Sequence, residues 1–82
     1  MNEEQIYPAL TVVFRDVLDD DTLILKPTLT ARDVEGWDSL THVNLIVAVE
    51  SRFGIKFRTA ELESLKNVGQ FVQLIGQRLA AK

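Results

Sequence analysis

The chain contains no cysteine and only one histidine among its 82 residues. Without cysteine, neither a disulfide framework nor a thiolate metal site can support the fold. One histidine cannot form a metal site alone, and the acidic residues do not follow the spacing of a calcium loop. We therefore expect no bound metal ion.

Long hydrophobic runs are also missing, and none approaches the roughly 20 apolar residues that a membrane-spanning helix needs. The N-terminal stretch MNEEQ is acidic, whereas a secretory signal peptide begins with basic residues. We expect a cytoplasmic protein without membrane insertion. The composition, 46% hydrophobic and 26% charged, is that of a globular chain, and the length suits a single domain over residues 1–82.

The net charge of −3 is unevenly distributed along the chain. Residues 1–38 carry nine acidic and three basic side chains, whereas residues 39–82 carry three acidic and six basic ones. No stripe of basic residues could neutralise phosphates, so nucleic acid is not an expected partner. The acidic half leads up to Ser39, so we expect partner proteins with basic surfaces.

Apolar periodicity predicts four helices, one of them short, and no strand pair. The first helix should start near Tyr7-Pro8, because proline is tolerated only in a first turn, and should end before Asp19. Residues 19–38 follow no sustained period and form a long connection, which its apolar side chains should hold against the core. Those side chains are Leu23, Leu25, Leu29 and Val34.

The second helix is predicted from Ser39 to about Phe53, with Asp38 or Ser39 as its N-cap and Gly54 as its stop. A helix that only covers a core needs a narrower apolar stripe than this one, which spans well over half of the helical wheel. Two interpretations stay open: a central helix packed on several sides, or a surface that receives an apolar ligand or a partner. The apolar residues are Leu40, Val43, Leu45, Ile46, Val47, Val49 and Phe53.

Two further helices complete the prediction. Thr59 is expected to cap a short helix through about Ser64, and Asn67, with Gln70 three residues on, should begin the last one. Four side chains are expected to be buried between the helices: Phe14, Leu45, Phe53 and Phe71.

His42 falls inside the apolar arc of the second helix, three residues after Ser39. A lone histidine in such a place is more often a structural residue with a satisfied hydrogen bond than a catalyst. A serine–histidine dyad is disfavoured, because the chain has no G-x-S-x-G turn and no evident third residue to orient the imidazole. We therefore do not expect an enzyme.

The stretch GWDSL, from Gly36 to Leu40, raises a question about its serine. Asp and Ser are both common N-caps, so the pair alone says little. Capping does not account for Trp37, which we expect to be exposed, or for Leu40 at the helix start. A solvent-facing Ser39 hydroxyl beside an acid is well placed for modification by another enzyme, and a helix N-terminus favours an attached phosphate.

The segment VEGWDSLTHVNLIVAVESRFGIKF, residues 34–57, closely resembles the signature region of acyl carrier proteins. In that family an Asp-Ser-Leu triplet opens the second helix, and its serine carries a 4′-phosphopantetheine arm. The similarity extends over nearly the whole chain. It implies an all-α four-helix bundle of acyl-carrier type with a long first loop and a short third helix. It also implies a freestanding, monomeric carrier with Ser39 as the attachment site.

The resemblance further implies partners and the residues that meet them. A phosphopantetheinyl transferase would attach the arm, using coenzyme A and magnesium. Acyl-loading and acyl-using enzymes would then exchange acyl groups as thioesters on the arm's thiol. The implied docking residues are Asp38, Leu40, Val43, Val47 and Trp37, and those at the cleft that shelters a bound chain are His42, Ile46 and Val49.

The chain departs from the familiar fatty-acid carriers in its second helix. Thr41, Asn44 and Ser51 stand where acids are common, which leaves Glu50 as the only acid of the helix, and Trp37 replaces a usually small residue. These differences imply a specialised carrier with its own partners, in a fatty-acid, polyketide or related pathway. A stand-alone aminoacyl or peptidyl carrier and an unmodified helical adaptor stay as alternatives, and modification of the serine separates the adaptor from the carriers.

Overall fold

A computed structural model describes residues 2–63 and 65–81. Four α-helices follow one another: α1 (Glu3–Leu18), α2 (Ser39–Phe53), α3 (Thr59–Glu63) and α4 (Val68–Ala80). A single 3-10 turn, Ala31–Asp33, interrupts the connection between α1 and α2, and the described residues contain no strand. The all-α prediction with a long first loop and a short third helix is confirmed.

The start of α1 lies upstream of the predicted one. Asn2 is the N-cap: its side chain accepts a hydrogen bond of 3.1 Å from the Gln5 N–H, and the Gln5 side chain accepts one of 3.0 Å from the Asn2 N–H. This reciprocal pair satisfies two N–H groups that a helix end leaves free, and Glu3 and Glu4 suit the positive end of the helix dipole. The helix therefore accommodates Pro8 inside it, and the prediction of a start near Tyr7-Pro8 is wrong.

The core forms where α1, α2 and α4 meet. All four predicted core side chains are buried, with at most 5% of their surface exposed. In α4, periodicity also predicts burial of Val68, Val72, Ile75 and Leu79; the first three are buried, but Leu79 is only half-buried and Leu74 is buried in addition. Burying a large apolar side chain contributes about 1.5–3 kcal/mol. The fully buried residues are Ile6, Leu10, Phe14, Leu45, Val49, Val68, Phe71, Val72 and Ile75.

The long connection is held against the start of α4, as its apolar residues predicted. Leu25 and Val34 are buried, and the Leu29 carbonyl accepts a hydrogen bond of 2.9 Å from the Val68 N–H. The Pro27 carbonyl accepts one of 2.9 Å from the Gly69 N–H. A Cβ on Gly69 would lie only 3.0 Å from that carbonyl oxygen, so the close approach requires glycine here.

The sequence predicted the N-cap of α4 correctly, but not that of α3. Asn67 caps α4 as expected, accepting a hydrogen bond of 2.9 Å from the Gln70 N–H. Thr59 is not the cap of α3 but its first residue, and the Arg58 N–H before it donates a hydrogen bond of 2.9 Å to the Glu61 carboxylate. The predicted C-terminal residue of α3, Ser64, lies outside the described residues.

Candidate functional site

Asp38 and Ser39 have different positions at the start of α2. Asp38 is the N-cap, with extended backbone, and its carboxylate accepts a hydrogen bond of 2.8 Å from the Thr41 N–H. The Thr41 N–H lowers the pKa of the Asp38 carboxyl, so this group is a carboxylate at neutral pH. Ser39 is the first helical residue and is exposed. The cap is therefore the acid, and the serine hydroxyl is available for other chemistry.

Trp37 does not have the exposed position that we expected from the sequence. It is half-buried, and its indole meets the Phe14 ring edge-on, with ring centroids 5.1 Å apart and planes at 89°. The indole also stacks on His42, with centroids 6.0 Å apart. Gly36 precedes it with a φ of 86°, a left-handed conformation that glycine adopts without strain. The chain turns at Gly36, and the indole that follows points inward. Packing against the two rings stabilises this position, because burying an aromatic ring is favourable.

His42 is the structural residue that its place on the wheel predicted. Its Nδ1 accepts a hydrogen bond of 3.2 Å from the Trp37 indole N–H. Burial lowers the pKa of the imidazole, because a partly desolvated ring disfavours the charged form. The ring is therefore neutral at physiological pH, as an Nδ1 acceptor must be. The bond joins the loop before α2 to the first turn of that helix.

A cavity of about 400 Å³ opens beside Ser39. One side is formed by residues around the start of α2, and the other by residues around the start of α4. Ile46 and Val49, which the resemblance places at a sheltering cleft, are packed in the core and do not line this cavity. The lining residues are Ala31, Trp37, Asp38, Ser39, His42, Leu65, Lys66, Asn67 and Phe71.

Five of the lining residues had no predicted site role, because they reach the cavity through tertiary packing: Ala31, Leu65, Lys66, Asn67 and Phe71. No local motif marks them. Asn67 had a helix-capping signal, which concerns the start of α4 and says nothing about a neighbouring cavity.

Three apolar side chains of α2 form a surface row that nothing covers within the described chain. Leu40, Val43 and Val47 are 73%, 58% and 59% exposed, respectively. Their spacing places them on one face of the helix. Glu50, the only acid of α2, is half-buried and accepts a hydrogen bond of 2.9 Å from the Phe57 N–H. It is thus engaged within the fold rather than directed at solvent.

Residues 2–63 and 65–81 contain neither a candidate metal site nor a candidate membrane span. No group of three or more His, Cys, Asp or Glu side chains there could hold a metal ion. None of the helices in this range is both long and apolar enough to cross a bilayer.

Comparisons with known proteins agree on one family. The family model described as "Phosphopantetheine attachment site" matches residues 8–75. An acyl carrier protein of Guillardia theta is 33% identical over 82 residues, covering 99% of this chain and 100% of that protein. One of Thermosynechococcus vestitus is 31% identical over 81 residues, covering 99% and 100%.

A solved structure is similar in fold as well as in sequence. The solution structure of a holo acyl carrier protein from Geobacter metallireducens superposes with a TM-score of 0.88. The two sequences are 47% identical, and the match covers 92% of this chain and 86% of that one. This agreement concerns the whole helical architecture.

Proposed function

The chain belongs to the acyl carrier protein family, and from that premise we propose that Ser39 is the residue to which its 4′-phosphopantetheine arm is attached. The protein is a carrier of acyl groups on that covalently attached arm. It is not an enzyme and is modified by a phosphopantetheinyl transferase. The arm supplies the thiol that a chain without cysteine lacks.

The observation that carries the assignment is the division of roles at the start of α2. Because Asp38 provides the cap, the exposed Ser39 hydroxyl can be esterified without removing a hydrogen bond that starts the helix. A phosphodiester at this place would lie at the positive end of the helix dipole. Ser51, the other serine of α2, is also exposed but lies in the last turn, where the dipole disfavours an anion.

Mass spectrometry can test the assignment directly. Wild-type protein incubated with coenzyme A, magnesium and a broad-specificity transferase should gain one phosphopantetheine. Ser39→Ala should gain none, while the matched control Ser51→Ala should gain one. An unmodified wild-type protein would favour the helical adaptor, and a modified Ser39→Ala would move the attachment site elsewhere.

The partners that we propose are the transferase and the enzymes that load and use the acyl group. Their docking surface would be the apolar row of Leu40, Val43 and Val47, with Asp38 at its edge. The acids that precede Ser39 would attract basic residues around an apolar patch on the partner. Trp37 should contribute less to docking than these residues, because its indole already packs against Phe14 and His42 and offers less surface to a partner.

The cytoplasmic location of the protein stays a prediction, as do its monomeric state and its pathway.

A further inference from the structure

The cavity beside Ser39 is closed on one side by aromatic rings. Trp37 and His42, joined by their hydrogen bond, form part of its wall, and Phe71 forms another part. Phe14 lies behind them: its ring centroid is 5.1 Å from that of Trp37 and 6.3 Å from that of Phe71, yet it does not line the cavity. The indole therefore stands between the cavity and the centre of the core.

The core residues of α2 beyond this wall do not line the cavity. Ile46 and Val49, the inward-facing residues of the next turns of α2, are only 8% and 0% exposed. A group that enters beside Ser39 has about 400 Å³ before it meets the aromatic wall. That volume is near the lower end of the roughly 300–1,000 Å³ of small-molecule sites. Deeper entry must displace the indole, because protein interiors are close-packed.

Displacing Trp37 would remove two favourable interactions at once. The indole N–H would lose its acceptor on His42, and the ring would lose its edge contact with Phe14. Each methylene of a chain that moves from water into an apolar site adds only a small favourable free energy. A short group that fits the existing cavity avoids this cost, whereas each longer one must offset it.

We propose that Trp37, held in place by His42, is the specificity-determining residue that limits the length of the acyl group sheltered beside Ser39. The proposal rests on the proposed attachment of the arm to Ser39. Short acyl chains would contact Phe71 and Leu65, with the thioester near the polar mouth at Asn67. The outer carbons of longer chains would stay in solvent. His42 is a positioning residue, since it acts through the indole.

The test uses a broad-specificity transferase and magnesium to transfer a graded series of acyl-phosphopantetheine arms from the matching acyl-coenzyme A to the intact protein, with release of adenosine 3′,5′-bisphosphate. The acyl groups run from acetyl through butyryl, hexanoyl and octanoyl to dodecanoyl. The readout is the rate at which hydroxylamine cleaves each thioester, relative to the same free acyl-pantetheine. In wild type, protection should increase over the short chains and then stop increasing. In Trp37→Leu, protection should continue to increase into the longer chains, by several-fold over wild type. Val12→Ala, a change of an exposed side chain on α1, should behave like wild type.

Three further variants keep the test valid if Trp37→Leu unfolds. Trp37→Phe keeps a ring against Phe14 but lacks the indole N–H, so its length limit should lie between those of wild type and a fully opened cavity. His42→Gln keeps an acceptor for the indole and should retain the wild-type limit, whereas His42→Leu should move it toward longer chains. This rescue distinguishes positioning of Trp37 from a general loss of packing.

The outcomes separate this proposal from the one on which it rests. The mass of each loaded protein reports attachment independently of protection. Absence of any adduct on wild type would overturn the attachment at Ser39 and this proposal with it. Loaded, folded variants with the same length dependence as wild type would overturn the role of Trp37 alone. So would wild-type protection that increases steadily to the longest chain.

Discussion

At the scale of single residues, Asp38 and Ser39 have separate roles at the start of α2: Asp38 caps the helix, and Ser39 is its exposed first residue. The sequence allowed either one to be the cap, and the hydrogen bond from the Thr41 N–H to the Asp38 carboxylate decides between them. The serine then contributes little to the stability of the helix. Modification of its hydroxyl and folding of the chain are consequently separate events.

This division predicts different stabilities for two alanine variants. Asp38→Ala should lower the free energy of unfolding by about 0.5–2 kcal/mol, because an N-cap acceptor is lost. Asp38→Asn keeps an acceptor and should lose less, and Ser39→Ala should stay close to wild type. Urea unfolding followed by circular dichroism measures all three. A Ser39→Ala protein as unstable as Asp38→Ala would show that the serine is the cap.

His42 predicts a pH dependence near neutrality. Its pKa in the folded protein lies below its value in the unfolded chain, about 6.5, so the unfolded state binds more protons in this range. Stability that is present above about pH 6.5 should therefore decrease as the pH falls through that value and on to the lower, folded pKa.

As the chain has one histidine, its imidazole signals can be followed alone by NMR titration. His42→Gln should flatten the dependence of urea unfolding on pH in this range while keeping an acceptor for the indole. The Trp37 fluorescence should change with the same midpoint, because protonation of Nδ1 removes the acceptor of the indole N–H. A folded-state pKa at or above 6.5 would contradict the burial argument.

At the scale of elements, α2 has two separate apolar faces. One packs in the core through Leu45, Ile46, Val49 and Phe53. The other is the exposed row of Leu40, Val43 and Val47. The wide apolar arc of the sequence thus consists of a face packed in the core and an exposed apolar row, and that the row receives a ligand or a partner stays a prediction.

The exposed row predicts that apolar contacts contribute more than charge to partner binding. Leu40→Ala should raise the Kd for the cognate enzyme about tenfold, or about 1.4 kcal/mol, if the side chain is a central anchor of the interface. Glu50→Gln should have a smaller effect, because Glu50 bonds the Phe57 N–H inside the fold. Val47→Ala should weaken binding more than Val12→Ala, a matched control at 63% exposure on α1.

Salt provides an independent measurement of the same prediction. Added salt should weaken binding only in part, since the screening length falls from about 10 Å at 0.1 M to about 3 Å at 1 M and affects charge pairs rather than apolar contacts. The acids before Ser39 account for the part that is lost. Greater damage from Glu50→Gln than from Leu40→Ala, or loss of all binding at moderate salt, would refute apolar docking.

At the scale of the whole molecule, Phe14 connects the core to the site. It is fully buried, and its ring contacts both Trp37 and Phe71. Two of the rings beside the cavity are therefore held by a side chain of α1, which itself contributes nothing to the cavity surface. The position of the cavity wall thus depends on the packing of the helices.

Loss of a core ring should unfold much of the population. A Phe→Ala change in a core, such as Phe14→Ala or Phe53→Ala, typically lowers the free energy of unfolding by about 3–5 kcal/mol. The whole free energy of unfolding of a small domain is only about 5–15 kcal/mol. Circular dichroism should show largely unfolded or strongly destabilised proteins, while Val12→Ala should stay within about 0.5 kcal/mol of wild type. A Phe53→Ala protein that melts like wild type would show that this face of α2 is not in the core.

The sequence by itself determined the features that depend on neighbouring residues. The bounds of α2, its stop at Gly54 and the Asn67 cap follow from short-range signals. The buried faces follow from helical periodicity, which identified Phe14, Leu45, Phe53 and Phe71. The early start of α1 is also encoded locally, in the reciprocal capping hydrogen bonds of Asn2 and Gln5, a signal that the prediction from Pro8 did not include.

Only the tertiary structure decided where Trp37 lies and what surrounds Ser39. The indole is half-buried because α1 places Phe14 against it and α2 places His42 against it, and neither contact is visible in the five residues around the serine. The cavity likewise joins the start of α2 to residues 65–67 and Phe71. Periodicity shows which face of a helix is apolar, whereas the partner of that face is set by helix packing between residues far apart in the chain.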